Sequence, residues 1–569
     1  MKMKSIACGV LVLPTVPAGL WCLVLGVAIS LSGCVSFVPR EYRPEKTIVG
    51  DLGMRRVDVP RFRDVTALSG LSGCSGHRVN WVDYDNDQYP DLLVDGSRLF
   101  RNCGAPHFNF VDVTASVGLA AARGAAAVCF DYDNDGWADI VTTRGGLWHN
   151  EKGVSFQNMA SSVGFKPHAK AGVLGCGDVN ADGYADVFVG MKEDWNNGHP
   201  TYYSAELWLN SAGTRFREIG HSAGIDRKTY ARAVLFSDVD GDGRQDLFIG
   251  NYRLQPNLLW RNRGKCRFKN VAHNYGVAGN HAPERYLDPI ILRRYGPHWG
   301  HTIGACWLDF DNDAKLDLFT ANLVHKYVGP SSGKQMQYDV RGYVCDDSAI
   351  YRRCGNTFSD WRASLGVARM PMGGPAFFKG DELWSGCVAA DVNNDGWMDI
   401  FVPQVYNLDY AKAKLFINAA GQQLVDKAAA AGIQRIDTYA GAWADIDRDG
   451  DVDLATAGRS GVGHPVRLCL LRNEGKPDAD ANRWLKVRLE QGNGRHTMLG
   501  TGVTVQAGKL RLYQEFGAGT SSYGQQNESI LHFGLGNETG EIAVIVRWPD
   551  GKVVKTFSSS NTVVEVSMP

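Results

Sequence analysis

The sequence predicts an all-β chain: a seven-bladed β-propeller followed by a small β-sandwich-like domain. Three observations carry that prediction. An acidic loop of one fixed spacing recurs seven times, a longer motif recurs around each loop, and from residue 482 onward the repeat gives way to strands of alternating polarity.

The loop is clearest in FDYDNDGWAD, Phe130 to Asp139. Aspartates this crowded repel one another unless a cation sits among them. Asp131, Asp133, Asp135 and Asp139 stand at positions 1, 3, 5 and 9, Gly136 at position 6 permits a sharp turn, and Trp137 at position 7 offers its backbone carbonyl. Calcium takes six to eight such hard oxygens, whereas zinc prefers cysteine and histidine. The same spacing places Asp83, Asp85, Asp87 and Asp91 with the Tyr89 carbonyl, and Asp178, Asn180, Asp182 and Asp186 with that of Tyr184. It recurs as Asp238, Asp240, Asp242 and Asp246 with Arg244, then as Asp309, Asp311, Asp313 and Asp317 with Lys315. The last two sets are Asp391, Asn393, Asp395 and Asp399 with Trp397, and Asp445, Asp447, Asp449 and Asp453 with Asp451. Up to seven calcium ions are therefore expected. Gln88 and Ala314 replace the position-6 glycine, which predicts weaker binding or a modified turn there.

The segments flanking the loops are short and apolar, such as VCF before Asp131 and LFIG after Asp246. They read as buried strands and not as the amphipathic helices of an EF-hand. Upstream of each loop an aromatic or leucine opens a motif that ends in glycine and an aliphatic residue: FRDVTALSGL at Phe62, FVDVTASVGL at Phe110, FREIGHSAGI at Phe216. Downstream of most loops a strand ends in asparagine, as in LFRN, LWHN and LLRN. Each repeat is thus a small sheet, the arrangement of a propeller. The chain enters on the Phe62 motif and leaves the repeat at Asn473, so pairing Leu468–Asn473 with Phe62–Thr66 is expected to close the ring.

These loops and motifs, from Phe62 to Asn473, resemble the FG-GAP and VCBS repeats of integrin α-subunit heads and of many secreted bacterial proteins. The resemblance implies a calcium-binding propeller. After the polar linker NEGKPDADAN, WLKVRLE places Leu485, Val487 and Leu489 on one face and Lys486 and Arg488 on the other, a half-buried strand. HFGLG (His532 to Gly536) and VRWPDG (Val546 to Gly551) resemble the ASPIC/UnbV domain of cartilage acidic protein-like bacterial proteins. TSSYGQQNES stands where that family has a serine-rich segment.

Lys2 and Lys4, an apolar stretch to Leu31 and LSGC ending at Cys34 resemble a lipoprotein signal, in which Cys34 becomes lipid-modified; an uncleaved membrane anchor is the alternative. The boundaries are then 1–33 signal peptide, 34–60 tether, 61–474 propeller and 482–569 ASPIC/UnbV domain. The expected location is exported, at a bacterial outer membrane or cell surface, with the membrane reached through the lipid alone. Export permits disulfides, and Cys345 with Cys354 is the candidate pair. Cys129, Cys176, Cys306 and Cys387 precede loops and read as buried fillers.

Of 61 acidic residues, 27 lie in the seven loops. Loss of Lys2 and Lys4 takes the formal charge from -1 to -3, and fourteen positive charges on seven ions raise it to about +11. Such a charge either favours anionic partners or belongs to Lys and Arg dispersed over a solvated surface. The expected partner is an extracellular glycan or protein, and no nucleic acid. No nucleophile elbow, phosphate loop or zinc-binding helix is present, and no catalytic residue is assigned. The reading is an adhesion or ligand-binding module; a calcium-dependent polysaccharide lyase or hydrolase on a propeller is the alternative. Insertions near Ala278–Ile303, His325–Cys354 and Ala368–Ser385 are expected to cap one face, and His281, His298, His301 and His325 lie in or beside them.

Overall fold

Each acidic loop is the turn of an antiparallel hairpin, because the apolar runs on either side have the length and branching of buried strands. Ala127–Phe130 pairs with Asp139–Thr142, which pairs with Leu147–Asn150, which pairs with Phe156–Asn158. The computed structural model describes residues 57–569 apart from residues 125, 197–198, 281–291, 294–296, 324–326, 329–339, 342–344, 369–381, 476–481, 493–495 and 519–523. Among the described residues, seven such four-stranded sheets occur. Their first strands are Val79–Val82, Ala127–Phe130, Ala171–Gly177, Ala231–Ser237, Thr302–Leu308, Val388–Ala390 and Gly441–Ala444. Each packs against the next and the last against the first, which makes a closed ring of sheets, the architecture of a propeller.

Position within a sheet explains the polarity of each strand. First strands are covered on both faces by neighbouring sheets and are buried throughout, save for the half-buried Gly172 and Cys176 of Ala171–Gly177. Fourth strands bury one residue, the aromatic or leucine of the motif, such as Phe62, Phe110 or Phe156, and leave their other residues exposed or half-buried. The closing strand behaves as the repeat phase requires: Phe62, Arg63 and Asp64 pair with Asn473, Arg472 and Leu471. Ring closure thus joins the two ends of the repeat and leaves no open edge between them.

The glycine that ends each upstream motif has a steric reason. Gly276 caps the short helix Ala272–Tyr275 with φ 82°, and a Cβ there would lie 2.6 Å from the Phe358 carbonyl of the next sheet. Sheet-to-sheet contact at this point needs the missing side chain.

The C-terminal domain has two sheets. Arg483–Glu490 lies between Leu531–Gly536 and Thr562–Ser567, and the second sheet runs Leu510–Glu515, Gly502–Ala507, Ile542–Arg547, Val553–Ser558. Leu485, Val487 and Leu489 join Val503, Val505, Phe533, Val544 and Trp548 in its core, as the alternation predicts. The other face departs from expectation. Lys486 is 3% exposed, because that face of the strand packs on the ring, where its ammonium lies 2.9 Å from both Asp445 and Glu528.

The disulfide expected between Cys345 and Cys354 is not formed. Cys345 is buried ahead of strand Ala349–Cys354, and Cys354 is exposed at that strand's far end. Six extended residues span about 16 Å, beyond the roughly 7 Å a disulfide tolerates between Cα atoms. Cys129, Cys306 and Cys387 are buried and Cys176 is partly so, in keeping with a packing role. Cys34, His281 and His325 fall outside the described residues. Among the described residues no helix is long and apolar enough to cross a membrane.

Gly276→Ala is expected to lower stability by at least about 1–2 kcal/mol, the ordinary cost of a left-handed backbone for a residue with a Cβ. The clash with Phe358 adds to that cost, and a chemical denaturation curve measures the sum.

Candidate metal centres

A carboxylate buried at a hairpin turn must find donors, and the loop supplies them from its own backbone. In the loop at Asp131, the Asp135 and Gly136 N–H groups donate to the two oxygens of Asp131 at 3.1 and 2.7 Å. The Trp137 N–H donates to Asp135 at 3.0 Å. Asp139 is fully buried; its oxygens accept the N–H of Tyr132 at 3.0 Å and of Asn150 at 2.7 Å. In all seven loops the position-9 carboxylate accepts a third-strand N–H at 2.7 Å.

The donor of that bond is an asparagine in six sheets, and its side chain reaches the preceding sheet. Asn150 Nδ2 donates to the Tyr84 carbonyl at 2.8 Å, Asn210 to Tyr132 at 2.7 Å and Asn262 to Val179 at 2.8 Å. Asn418 donates to Phe310 and Asn473 to Val392. Asn102 donates to Ile446 at 3.0 Å, across the closure of the ring. Arg353 takes the asparagine position in the remaining sheet. The LFRN-type ending of the sequence is therefore a link from turn to turn. Position 6 is left-handed whether or not it is glycine: φ is 91° at Gly136, 73° at Gln88 and 62° at Ala314. The turn is kept and those two side chains bear the strain.

Position 3 is different. Asp85, Asp133, Asp240, Asp311 and Asp447 each keep at least one buried oxygen that accepts no hydrogen bond. The oxygens of Asp238, Asp240 and Asp242 lie within 4.8 Å of one another, as do those of Asp83, Asp85 and Asp91, of Asp131, Asp133 and Asp135, and of Asp309, Asp311 and Asp317. Acidic groups able to hold a metal are thus gathered as the spacing predicts. Converging carboxylate oxygens with unsatisfied lone pairs suit a hard cation.

Sequence reasoning missed the cations that flank these groups. Arg101 Nε lies 2.6 Å from Asp85, His149 Nδ1 3.4 Å from Asp133 and Arg472 3.8 Å from Asp447, while Arg261 pairs with Asp240 and Arg352 with Asp311. The signal was present, since each precedes the last residue of its third-strand motif. Burial dominates the electrostatics of the acids. It pushes Asp83 and Asp131 up to about 6, Asp139 and Asp309 to about 7, and Asp246 and Asp317 to about 8. Hydrogen bonding to Asp139 raises His149 to about 9.

The C-terminal domain covers the loop end of the ring. Gln491 Nε2 donates to Asp131 at 2.9 Å, the Thr497 N–H to the Gly183 carbonyl, and His532 lies 2.6 Å from Asn394. Glu515, buried and pushed up to about 8, accepts from Ser237 and from the Asp238 N–H. QQNES of the altered segment enters the central channel, where side-chain amides imitate peptide groups. Gln526 exchanges two hydrogen bonds with the Cys129 backbone, Gln525 bridges Gly441 and Cys387, and Asn527 bridges Trp443 and Ala389. Backbone groups that face the channel thereby find partners. Beside this plug is a cavity of about 720 Å³ whose lining includes Trp81, Phe236, Trp307, Trp443 and Glu515. On the opposite end, His301 is buried with its ring 4.5 Å from Tyr252.

A family model for the FG-GAP-like repeat matches residues 178–249 and 391–456, and one for ASPIC and UnbV matches 491–562. The chain carries FG-GAP-like repeats and an ASPIC and UnbV domain. Cartilage acidic protein 1 of Mus musculus is 24% identical over 361 residues, 62% of this chain and 47% of the mouse protein. The Xenopus tropicalis protein of that name is 22% identical over 422 residues, 73% of this chain and 48% of its own length. The chain thus spans about half the length of the curated relatives it matches. Among solved structures, BBS1N in complex with ARL6DN overlaps at a TM-score of 0.39 and 8% identity, covering 73% of this chain and 98% of that one. A Bacillus licheniformis rhamnogalacturonan lyase overlaps at 0.27 and 10%, covering 87% and 72%. Overlaps this partial attach neither a partner nor an activity to the FG-GAP-like ring.

Without a bound cation, groups whose folded pKa exceeds the usual carboxylate value favour folding while protonated, and that contribution is lost as pH rises through the folded pKa. Chelated protein is therefore expected to show a falling thermal midpoint between about pH 4 and 8. Millimolar calcium should remove the fall, as scanning fluorimetry across pH would record.

Proposed function

We propose that the chain is an exported, calcium-loaded propeller that binds a glycan or protein ligand at a cell surface, held to the membrane through a lipid on Cys34. The observation that carries this reading is the set of five position-3 aspartates with buried oxygens that accept no hydrogen bond. Each loop's position 1, 3, 5 and 9 side chains would hold the ion with the position-7 carbonyl. When bound, the ion supplies the positive charge that the clustered acids otherwise lack, and the chain's own residues do the rest. Position-9 carboxylates tie the turn to the third strand, and third-strand asparagines tie it to the preceding turn.

The ligand face is the end of the ring away from the loops, because the ASPIC and UnbV domain occupies the loop end. The first and second strands bring Tyr252, Arg253, Tyr406, Tyr439 and Arg459 to that far end. Arg253 lies over the Tyr252 ring at 4.6 Å, and Tyr406 is 37% exposed. Aromatic faces with guanidinium groups suit sugars and anionic groups. The net positive charge of the loaded chain favours the same ligands.

Elemental analysis of purified protein dialysed against millimolar calcium is expected to find several ions per chain, and retention on an anionic polysaccharide should disappear with chelator. Protein that retains no alkaline-earth metal would overturn the reading. Asp131→Ala should lower the thermal midpoint more than it changes which ligands bind.

A further inference from the structure

Comparison of the seven loops reveals a paired exchange. Where position 3 is aspartate, the residue before the last of the third-strand motif is a cation: Arg101, His149, Arg261, Arg352 and Arg472. Where position 3 is Asn180 or Asn393, that residue is Leu209 or Ile417. Charge at one site appears and disappears with opposite charge at the other, and the position-9 hydrogen bond holds the loop and the third strand in fixed register.

The geometry gives the exchange a purpose. Arg101 spans positions 3 and 5, with Nε 2.6 Å from Asp85 Oδ2 and Nη2 3.2 Å from Asp87 Oδ2. Arg261 spans Asp240 and Asp242 in the same way, with Nη2 3.3 Å from Asp242 Oδ2. In the other two loops the asparagine does the second half of this work itself: Asn180 Nδ2 donates to Asp182 Oδ2 at 2.9 Å and Asn393 Nδ2 to Asp395 Oδ2 at 3.0 Å. The outer oxygen of position 5 thus receives an N–H from the arginine in the loops at Asp83 and Asp238 and from the asparagine in the loops at Asp178 and Asp391. The cation lies beside Oδ2 of position 3, and Oδ1 is left buried and without a hydrogen bond in Asp85, Asp133, Asp311 and Asp447, as are both oxygens of Asp240. The side chain of Asp240 is 4% exposed and that of Asp447 10%. A desolvated carboxylate oxygen without a donor is costly unless a ligand completes it.

We propose that these five cations are positioning residues of the metal loops, and that the seven loops form two classes. In the first class, the tethered cation turns the position-3 carboxylate so that one oxygen faces the ion, and it cancels one negative charge while the ion is away. In the second, at Asp178 and Asp391, an amide replaces both charges. Set against the tethered cation alone, the four carboxylates of the loops at Asp83 and Asp131 leave the same excess of three negative charges as the three carboxylates of the amide class. The proposal rests on the loops being cation sites.

Arg261→Leu, Asp240→Asn and the double variant test it by scanning fluorimetry in chelator and in calcium. In chelator, Arg261→Leu is expected to lower the thermal midpoint by about 2 °C or more. The double variant, which reproduces the amide class, should recover at least half of that loss, and saturating calcium should shrink the loss in the single variant. Additive effects that are the same with and without calcium would mark an ordinary ion pair and overturn the proposal. A wild-type midpoint that calcium does not move would instead overturn the cation-site reading itself. Should Arg261→Leu fail to fold, the reverse exchange decides: Asn180→Asp should lower the chelated midpoint, and adding Leu209→Arg should restore it. Failure of that restoration counts against the two classes.

Discussion

The ring depends on a buried carboxylate that no water reaches. At position 9 of every loop an aspartate sits at 0–2% exposure and accepts a third-strand N–H at 2.7 Å. A charge in that position is tolerable only while its donors stay in place, so the third strand is locked to the hairpin turn. In six sheets the locked residue is an asparagine whose amide reaches the turn of the sheet before it. Each turn therefore orders its neighbour. The bond from Asn102 to Ile446 carries that order across the point where the first and last sheets of the ring meet.

Concentrating acid at one end of the ring has a cost that the fold offsets from three directions. Backbone N–H groups satisfy positions 1, 5 and 9, cations from third strands face position 3, and the C-terminal domain brings Lys486 to Asp445 and Gln491 to Asp131. That domain is accordingly part of the loop end and not a separate bead on a linker. Its amide-rich segment satisfies channel-facing backbone with side chains of the same chemistry, which explains why glutamine and asparagine stand there.

Much of the fold and of the candidate site was legible in the chain itself. Seven loops, the sheet built around each and the strand exchange at Phe62 all follow from spacing, since strand and turn chemistry act over a few residues. Other features were misread for a common reason. Lys486 looked solvent-facing because alternation reports that a strand has two faces, but not what covers the second. Cys345 and Cys354 looked like a pair because sequence separation ignores the extended strand between them. Arg101, His149 and Arg472 stand within the LFRN-type motif, yet their partners lie many residues away, so only folding shows the pairing.

By itself, the sequence determined the repeat, its phase and the oxygen donors of each loop, because those are matters of local geometry and residue chemistry. Tertiary structure decided which carboxylate oxygens remain unsatisfied, which cations face them and which end of the ring the last domain covers. Those outcomes depend on burial and on contacts between distant strands, and neither exists until the ring has closed.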